Sequence, residues 1–240
     1  MEGRPRTGWA AAAVESLDMG DMVRFVRDGQ PFQGYQAGES GPGVILIQEW
    51  WGLVGHIKSV ADRLADEEFV VLAPDFYDGR QTDEPDEAGS LMMALDIEMA
   101  AEMVRASVDH LLADERVGGE KVGVVGFCMG GQLALYAATI DQRIGAAVDF
   151  YGIHPNVKPD LERLEAPLLG LFASQDEYAS PEAVKALDEE LTRLDKPHEF
   201  HTYDAQHAFF NDDRPAVYDP GAAADAWQRM LAFFRKHLEA

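Results

Sequence analysis

The sequence predicts an α/β fold: a mostly parallel sheet with helices on both faces, opened by an N-terminal β-hairpin. Three observations carry this reading. Short apolar, β-branched runs, suited to strands buried on both faces, alternate with stretches of helical periodicity. Met22 to Val26 and Phe32 to Gln36 flank Asp28-Gly29, a dipeptide that favours a tight hairpin turn. The 240 residues, 47% hydrophobic, suffice for one large core, and no linker, repeat or low-complexity tract divides them. Residues 21–240 are therefore expected to form a single domain behind a loose tail over residues 1–20.

The elements follow in order. Val44 to Gln48 is a near-continuous apolar run, expected as a strand. His56 to Glu67 sets Ile57, Val60, Ala61 and Leu64 at helical spacing, and Phe69 to Ala73 is apolar again and stops at Pro74. Leu91 to Leu112 reads as one long helix. Lys121 to Gly126 has the character of a buried strand, and Gln132 to Thr139 that of a helix. Gly145 to Phe150, Pro167 to Ala173 and Glu199 to Tyr203 supply further strands, with Pro181 to Leu194 helical between the last two. Pro181 stands at a helix start, where its missing N–H costs nothing. Gly221 to Leu238 closes the chain as an amphipathic helix carrying Trp227, Leu231 and Phe234. In a sheet of this kind ligands gather at the carboxyl ends of the strands.

Charge narrows the function. With 43 acidic against 20 basic residues the formal net charge is -23. Such a field repels nucleic acid and anionic membranes, whose binding needs clustered Lys and Arg. The acidity, with lysines outnumbered by arginines, is also a pattern of adaptation to high salt; a protein equally stable in millimolar and molar salt would exclude that. No stretch approaches the ~18 apolar residues of a membrane span. The single cysteine rules out an intrachain disulfide and a multi-Cys zinc site, fits a reducing, cytoplasmic compartment, and leaves one thiol free to react. His198 and His201 lie three apart on an expected strand, which sends them to opposite faces, so no metal site is read. No cofactor is expected, and a monomer is.

That thiol sits in Gly126-Phe127-Cys128-Met129-Gly130, where a strand hands over to a helix. The pentapeptide reads as a nucleophile elbow. Glycines two positions either side of Cys128 remove the Cβ atoms that would clash in so sharp a reversal, leaving the central residue strained and exposed. Taken alone, a buried inert cysteine fits the same five residues. Partners decide the matter: a thiol attacking an ester or lactone needs a base, an orienter for that base and donors for the oxyanion. Asp176 lies in Ala173-Ser-Gln-Asp-Glu177, just past one strand, with Glu177 as a rival. His207 lies in Asp204-Ala-Gln-His-Ala-Phe209, just past the next. Nucleophile, acid and histidine occur in the chain order of a hydrolase triad built on an α/β sheet.

Gln48-Glu49-Trp50-Trp51-Gly52, at the end of the strand from Val44, completes the constellation. With Pro74-Asp75-x-Tyr77, Gly126-x-Cys128-x-Gly130-Gly131, the Asp176 loop and the His207 loop in register, the chain from about Met22 onward resembles the dienelactone hydrolase (carboxymethylenebutenolidase) family, a cysteine-dependent branch of the α/β-hydrolases. The resemblance implies that Cys128, His207, Asp176 and Glu49 are catalytic. Glu49 would sit against the cysteine and take its proton when substrate arrives. That is physically sensible, because a carboxylate beside a thiol opposes thiolate formation by like-charge repulsion until it is itself moved onto the sulfur. The amides of Met129 and Trp50 would hold the oxyanion. Arg80, following Pro74-Asp-Phe-Tyr-Asp-Gly79, would take a substrate carboxylate. Trp51, Tyr151 and Phe209 would line an aromatic pocket, with Phe210 beside them.

Two positions depart from the family. A second arginine is expected a few residues beyond the histidine, but this chain reads His207-Ala-Phe-Phe-Asn211, with Arg214 the nearest candidate. Ala208 supplies no hydroxyl. Both departures point away from dienelactone itself and leave a small ester, lactone or thioester as the substrate class. A non-catalytic relative that binds a small ligand or a protein partner is the alternative, and it would require a broken constellation. A dinucleotide cradle over Gly123, Gly126, Gly130 and Gly131 does not fit the Gly-x-Gly-x-x-Gly spacing.

Overall fold

The computed structural model describes residues 20–238, so all of the expected tail except Gly20 lies outside the described residues. A hairpin of β1 (Asp21–Arg27) and β2 (Gln30–Ala37) turns through Asp28 and Gly29, both at positive φ, which is the conformation this dipeptide accepts most easily. Then come β3 (Gly41–Ile47), α1 (Gly55–Asp66), β4 (Val70–Pro74), α2 (Pro85–Met93), α3 (Ile97–Leu112), β5 (Val117–Phe127), α4 (Met129–Ile140) and β6 (Ile144–Phe150). The chain ends with β7 (Leu168–Gln175), α5 (Pro181–Arg193), β8 (His198–Gln206) and α6 (Pro220–Leu238). The eight strands form one sheet in the order β1-β2-β4-β3-β5-β6-β7-β8. β2 pairs antiparallel with β1 and β4, and all other pairs are parallel.

Alternation along the strands divides the core in two. On β3, Val44 and Leu46 face a cluster completed by α1 and α6, with Ile57, Leu64, Trp227 and Phe234, while Ile45 and Ile47 face a second completed by α3 and α4, with Val104, Leu111, Met129 and Leu133. This two-sided burial is why the strands read as continuous apolar runs. No helix among the described residues is long and apolar enough to cross a membrane.

The expected single helix from Leu91 to Leu112 is two. The Asp96 side chain accepts hydrogen bonds from the amides of Glu98 and Met99 at 3.0 and 3.1 Å, capping a fresh helix start. Apolar spacing continues across the break, so periodicity alone misses it; the N-cap aspartate was the available signal.

Candidate active site

Central placement in the sheet sets up the site. β5 lies between β3 and β6, and Cys128 is the first residue past its end, at φ 57 and ψ -120, serving as N-cap of α4; the backbone is strained as expected, but the side chain is buried rather than exposed, because the turn is packed on both sides. A non-glycine residue held there stores about 1–3 kcal/mol of strain, which the surroundings must offset. They do so through β6: the Cys128 amide donates to the Phe150 carbonyl at 3.0 Å, and the Cys128 carbonyl accepts from Gly131 and Ile153 at 3.0 and 3.1 Å. The glycine spacing is a packing requirement. A Cβ on Gly126 would lie 1.9 Å from the Gly130 carbonyl oxygen, and one on Gly130 would lie 2.4 Å from that of Gln48. Met129, as the first residue of α4, has an amide with no acceptor inside its own helix.

The ends of β7 and β8 bring the partners in. His207 Nδ1 lies 2.7 Å from Asp176 Oδ2. Asp176 Oδ1 accepts from the amides of Tyr178 and Ala179 at 2.7 and 2.9 Å, so the buried carboxylate is fixed from three directions. The exposed Glu177 makes no such contact with the imidazole, and the sequence could not separate these neighbouring acids. Tyr151 and Tyr178 flank the His207 ring, each with its centroid 5.0 Å away, and hold its plane. Burial lowers the proton affinity of His207, but hydrogen bonds to Asp176 and Cys128, together with their charges, outweigh it and push the imidazole up to about 10.

Glu49, past the end of β3, is buried with one oxygen held by Asn211 Nδ2 at 2.5 Å and the other without a partner of ordinary hydrogen-bond geometry. Asn211 Oδ1 accepts from the Asp213 amide at 3.1 Å, which fixes which end of the side chain faces Glu49. The Tyr151 hydroxyl is close enough to feel both Glu49 and Cys128; burial first, and those two charges next, push it well above the usual phenol value. Cys128, His207, Asp176, Glu49 and Tyr151 are thus brought together, with Met129 and Trp50 on the flanking turns.

The remaining expected residues are placed around these groups as follows. Phe209 is fully buried against Phe150, Tyr151 and Tyr203, where it packs behind Tyr151. Arg80 is exposed, with its Nε 3.4 Å from the Tyr77 carbonyl, in a groove of about 210 Å³ shared with Leu91, Leu95 and Met99. Trp51 stacks edge-on against Trp50 at 4.9 Å and carries the Arg214 guanidinium 3.7 Å above its ring.

Sequence reasoning passed over Asp149. It lies on β6 facing α4, wedged where a Cβ on Gly131 or on Gly152 would come within 2.2 Å of its Oδ1. The only hint was an aspartate inside the apolar run Gly145-Ala-Ala-Val-Asp-Phe150. Burial raises its carboxyl from 3.8 to about 7, partly offset by the Gly152 amide and the charge of His207. The folded chain therefore favours the protonated acid. Stability from this group is full below the ordinary carboxyl range and is lost as pH rises through about 7. We expect Asp149→Asn to gain on wild type by about 2 kcal/mol more at pH 8.5 than at pH 5.5, measured by urea unfolding at both. Parallel stabilities at the two pH values would refute this.

The chain is similar in sequence and in fold to known proteins. A profile described as the dienelactone hydrolase family covers residues 32–238. The chain belongs to the dienelactone hydrolase family. Among this family's members and neighbours, it is 39% identical over 230 residues to protein usf of Aquifex pyrophilus, spanning 92% of this chain and 100% of that one. The solved structure of m3DLH superposes with a TM-score of 0.81 at 28% identity, covering 91% of this chain and 98% of that one. A dienelactone hydrolase-like promiscuous phosphotriesterase from metagenomic libraries gives 0.79 at 26% identity, over 91% and 98% of the two chains. As a dienelactone hydrolase family member with an α/β-hydrolase sheet, this protein is a hydrolase.

Proposed function

We propose that this protein hydrolyses a small ester, lactone or thioester through a cysteinyl acyl-enzyme. The observation that carries the proposal is the Asp176–His207 bond of 2.7 Å beside a thiol on a strained strand-to-helix turn. In this reading Glu49 takes the proton of Cys128, and the sulfur attacks the substrate carbonyl. The developing oxyanion is met by the amides of Met129 and Trp50, fixed donors placed where charge appears. As the carbon–oxygen bond to the leaving group breaks, His207 gives its proton to the departing alkoxide. The imidazole then takes a proton from water, whose oxygen attacks the thioester; the acid is released, and Glu49 returns its proton to the departing thiolate to restore the thiol. The elevated proton affinity of His207 suits the first of these tasks.

Acid quenching of the enzyme with p-nitrophenyl acetate, followed by intact mass spectrometry and peptide mapping, tests this. The expected result is one acetyl group on Cys128; turnover with the label elsewhere, or with none formed in single-turnover conditions, would sink the proposal. Glu49→Gln is expected to lower turnover by roughly 10–100-fold and to change the pH dependence of iodoacetamide alkylation of the thiol. An alkylation profile identical to wild type would take Glu49 out of the chemistry.

A further inference from the structure

We propose that this site selects uncharged esters and lactones over substrates bearing a carboxylate, and that Asn211 makes the selection by holding Glu49 with a neutral amide. The proposal rests on the hydrolase reading above. Both side chains are buried, at 1% and 2% exposure, and their contact of 2.5 Å involves one charge and no countercharge. The Tyr151 hydroxyl, the other polar group near Glu49, is also neutral, since its proton is held more tightly than in a free phenol. Among the described residues no lysine or arginine pairs with Glu49.

Neither nearby arginine pairs with Glu49: Arg214 sits 3.7 Å above the Trp51 ring, and Arg80 borders a mostly apolar groove against α2 and α3. Asn211 is also a wall of a cleft of about 410 Å³ that includes Trp51, His56 and Arg214, but Asp83 and Asp213 line it too, so its carboxylates outnumber its guanidinium. A second anion entering beside Glu49 would meet a buried like charge with little intervening water, where repulsion is poorly screened. A neutral ester meets no such penalty. An arginine at 211 would instead place a guanidinium beside Glu49, supplying a countercharge where the amide supplies none.

The test compares two esters of matched length, p-nitrophenyl methyl adipate and p-nitrophenyl hydrogen adipate, by kcat/KM and by adduct formation on Cys128. Wild type is expected to favour the methyl ester by about 10-fold or more, and to keep most of that preference in roughly 0.5 M sodium chloride, which screens the overall field but not a buried charge. Asn211→Arg is expected to bring the ratio near one or invert it. Gln142→Arg, which adds the same charge on a distant exposed position, should leave the ratio at the wild-type value. A wild-type ratio near one, a preference that collapses in salt, or a folded Asn211→Arg protein with an unchanged ratio would each overturn the selection. Failure of both esters to acylate Cys128 would overturn the hydrolase reading and the selection with it, whereas acylation by both with no preference overturns the selection alone.

Discussion

Cys128→Ala is expected to abolish turnover, lowering kcat for p-nitrophenyl acetate by about 10⁴-fold or more, while leaving the fold intact. The two halves of that expectation have separate origins. Loss of activity follows from the proposal that the sulfur forms and breaks the covalent bond; no neighbouring side chain is free to substitute for it. Asp176 is committed to His207 and two amides, and Glu49 to Asn211. Retention of the fold follows because alanine removes one atom from a residue of 7% exposure and keeps the main-chain bonds to Phe150, Gly131 and Ile153. The stability cost should be about 1 kcal/mol. As the chain holds one cysteine, thiol labelling should fall from one equivalent to none in the same sample. Turnover equal to wild type in a preparation with no reactive thiol would place the chemistry on another residue.

How far the sequence could be read depended on whether a residue's role was local. The elbow was legible because its requirements lie within five residues: glycines at fixed offsets, an apolar run before and a helix after. The hairpin was legible for the same reason, Asp28-Gly29 being sufficient to turn the chain. Asp176 and Glu177 were not separable, since both follow the same strand. What distinguishes them is a three-dimensional matter: Asp176 points inward to two amides and His207. Asn211 drew notice only as the place where an arginine was missing, because its partner Glu49 lies 162 residues away in sequence. Asp149 was hidden by its company, an acid in a strand whose pattern otherwise said core. Phe209 looked like a pocket aromatic for the converse reason: composition does not tell which face of a loop an aromatic ring turns inward.

Gly126→Ala should be among the most disruptive single-methyl changes in the sheet. An alanine Cβ there would sit 1.9 Å from the Gly130 carbonyl oxygen, 2.2 Å from its carbon and 2.9 Å from the Gly131 nitrogen. These are backbone atoms in the first turn of α4, so no side-chain rotation can relieve the overlap. To restore a normal contact the turn must shift by about 1 Å relative to β5. The shift cannot be absorbed toward β3, because Gly130 already packs so closely that its own Cβ would lie 2.4 Å from the Gln48 carbonyl oxygen. It would also carry Met129 and Cys128 with it and strain the Cys128 bonds to Phe150 and Ile153. We expect a stability loss of about 3–5 kcal/mol by urea unfolding, in line with overpacking against rigid neighbours. Where enough protein folds to assay, a misplaced thiol and oxyanion amide should cost at least about 10²-fold in turnover. Gly55→Ala gives the contrast, since nothing lies within 4 Å of its added methyl, and its stability should stay within about 0.5 kcal/mol of wild type. A Gly126→Ala protein with wild-type stability and turnover would mean that this turn tolerates a 1 Å displacement, and the geometric case for Cys128 as the reacting group would fail with it.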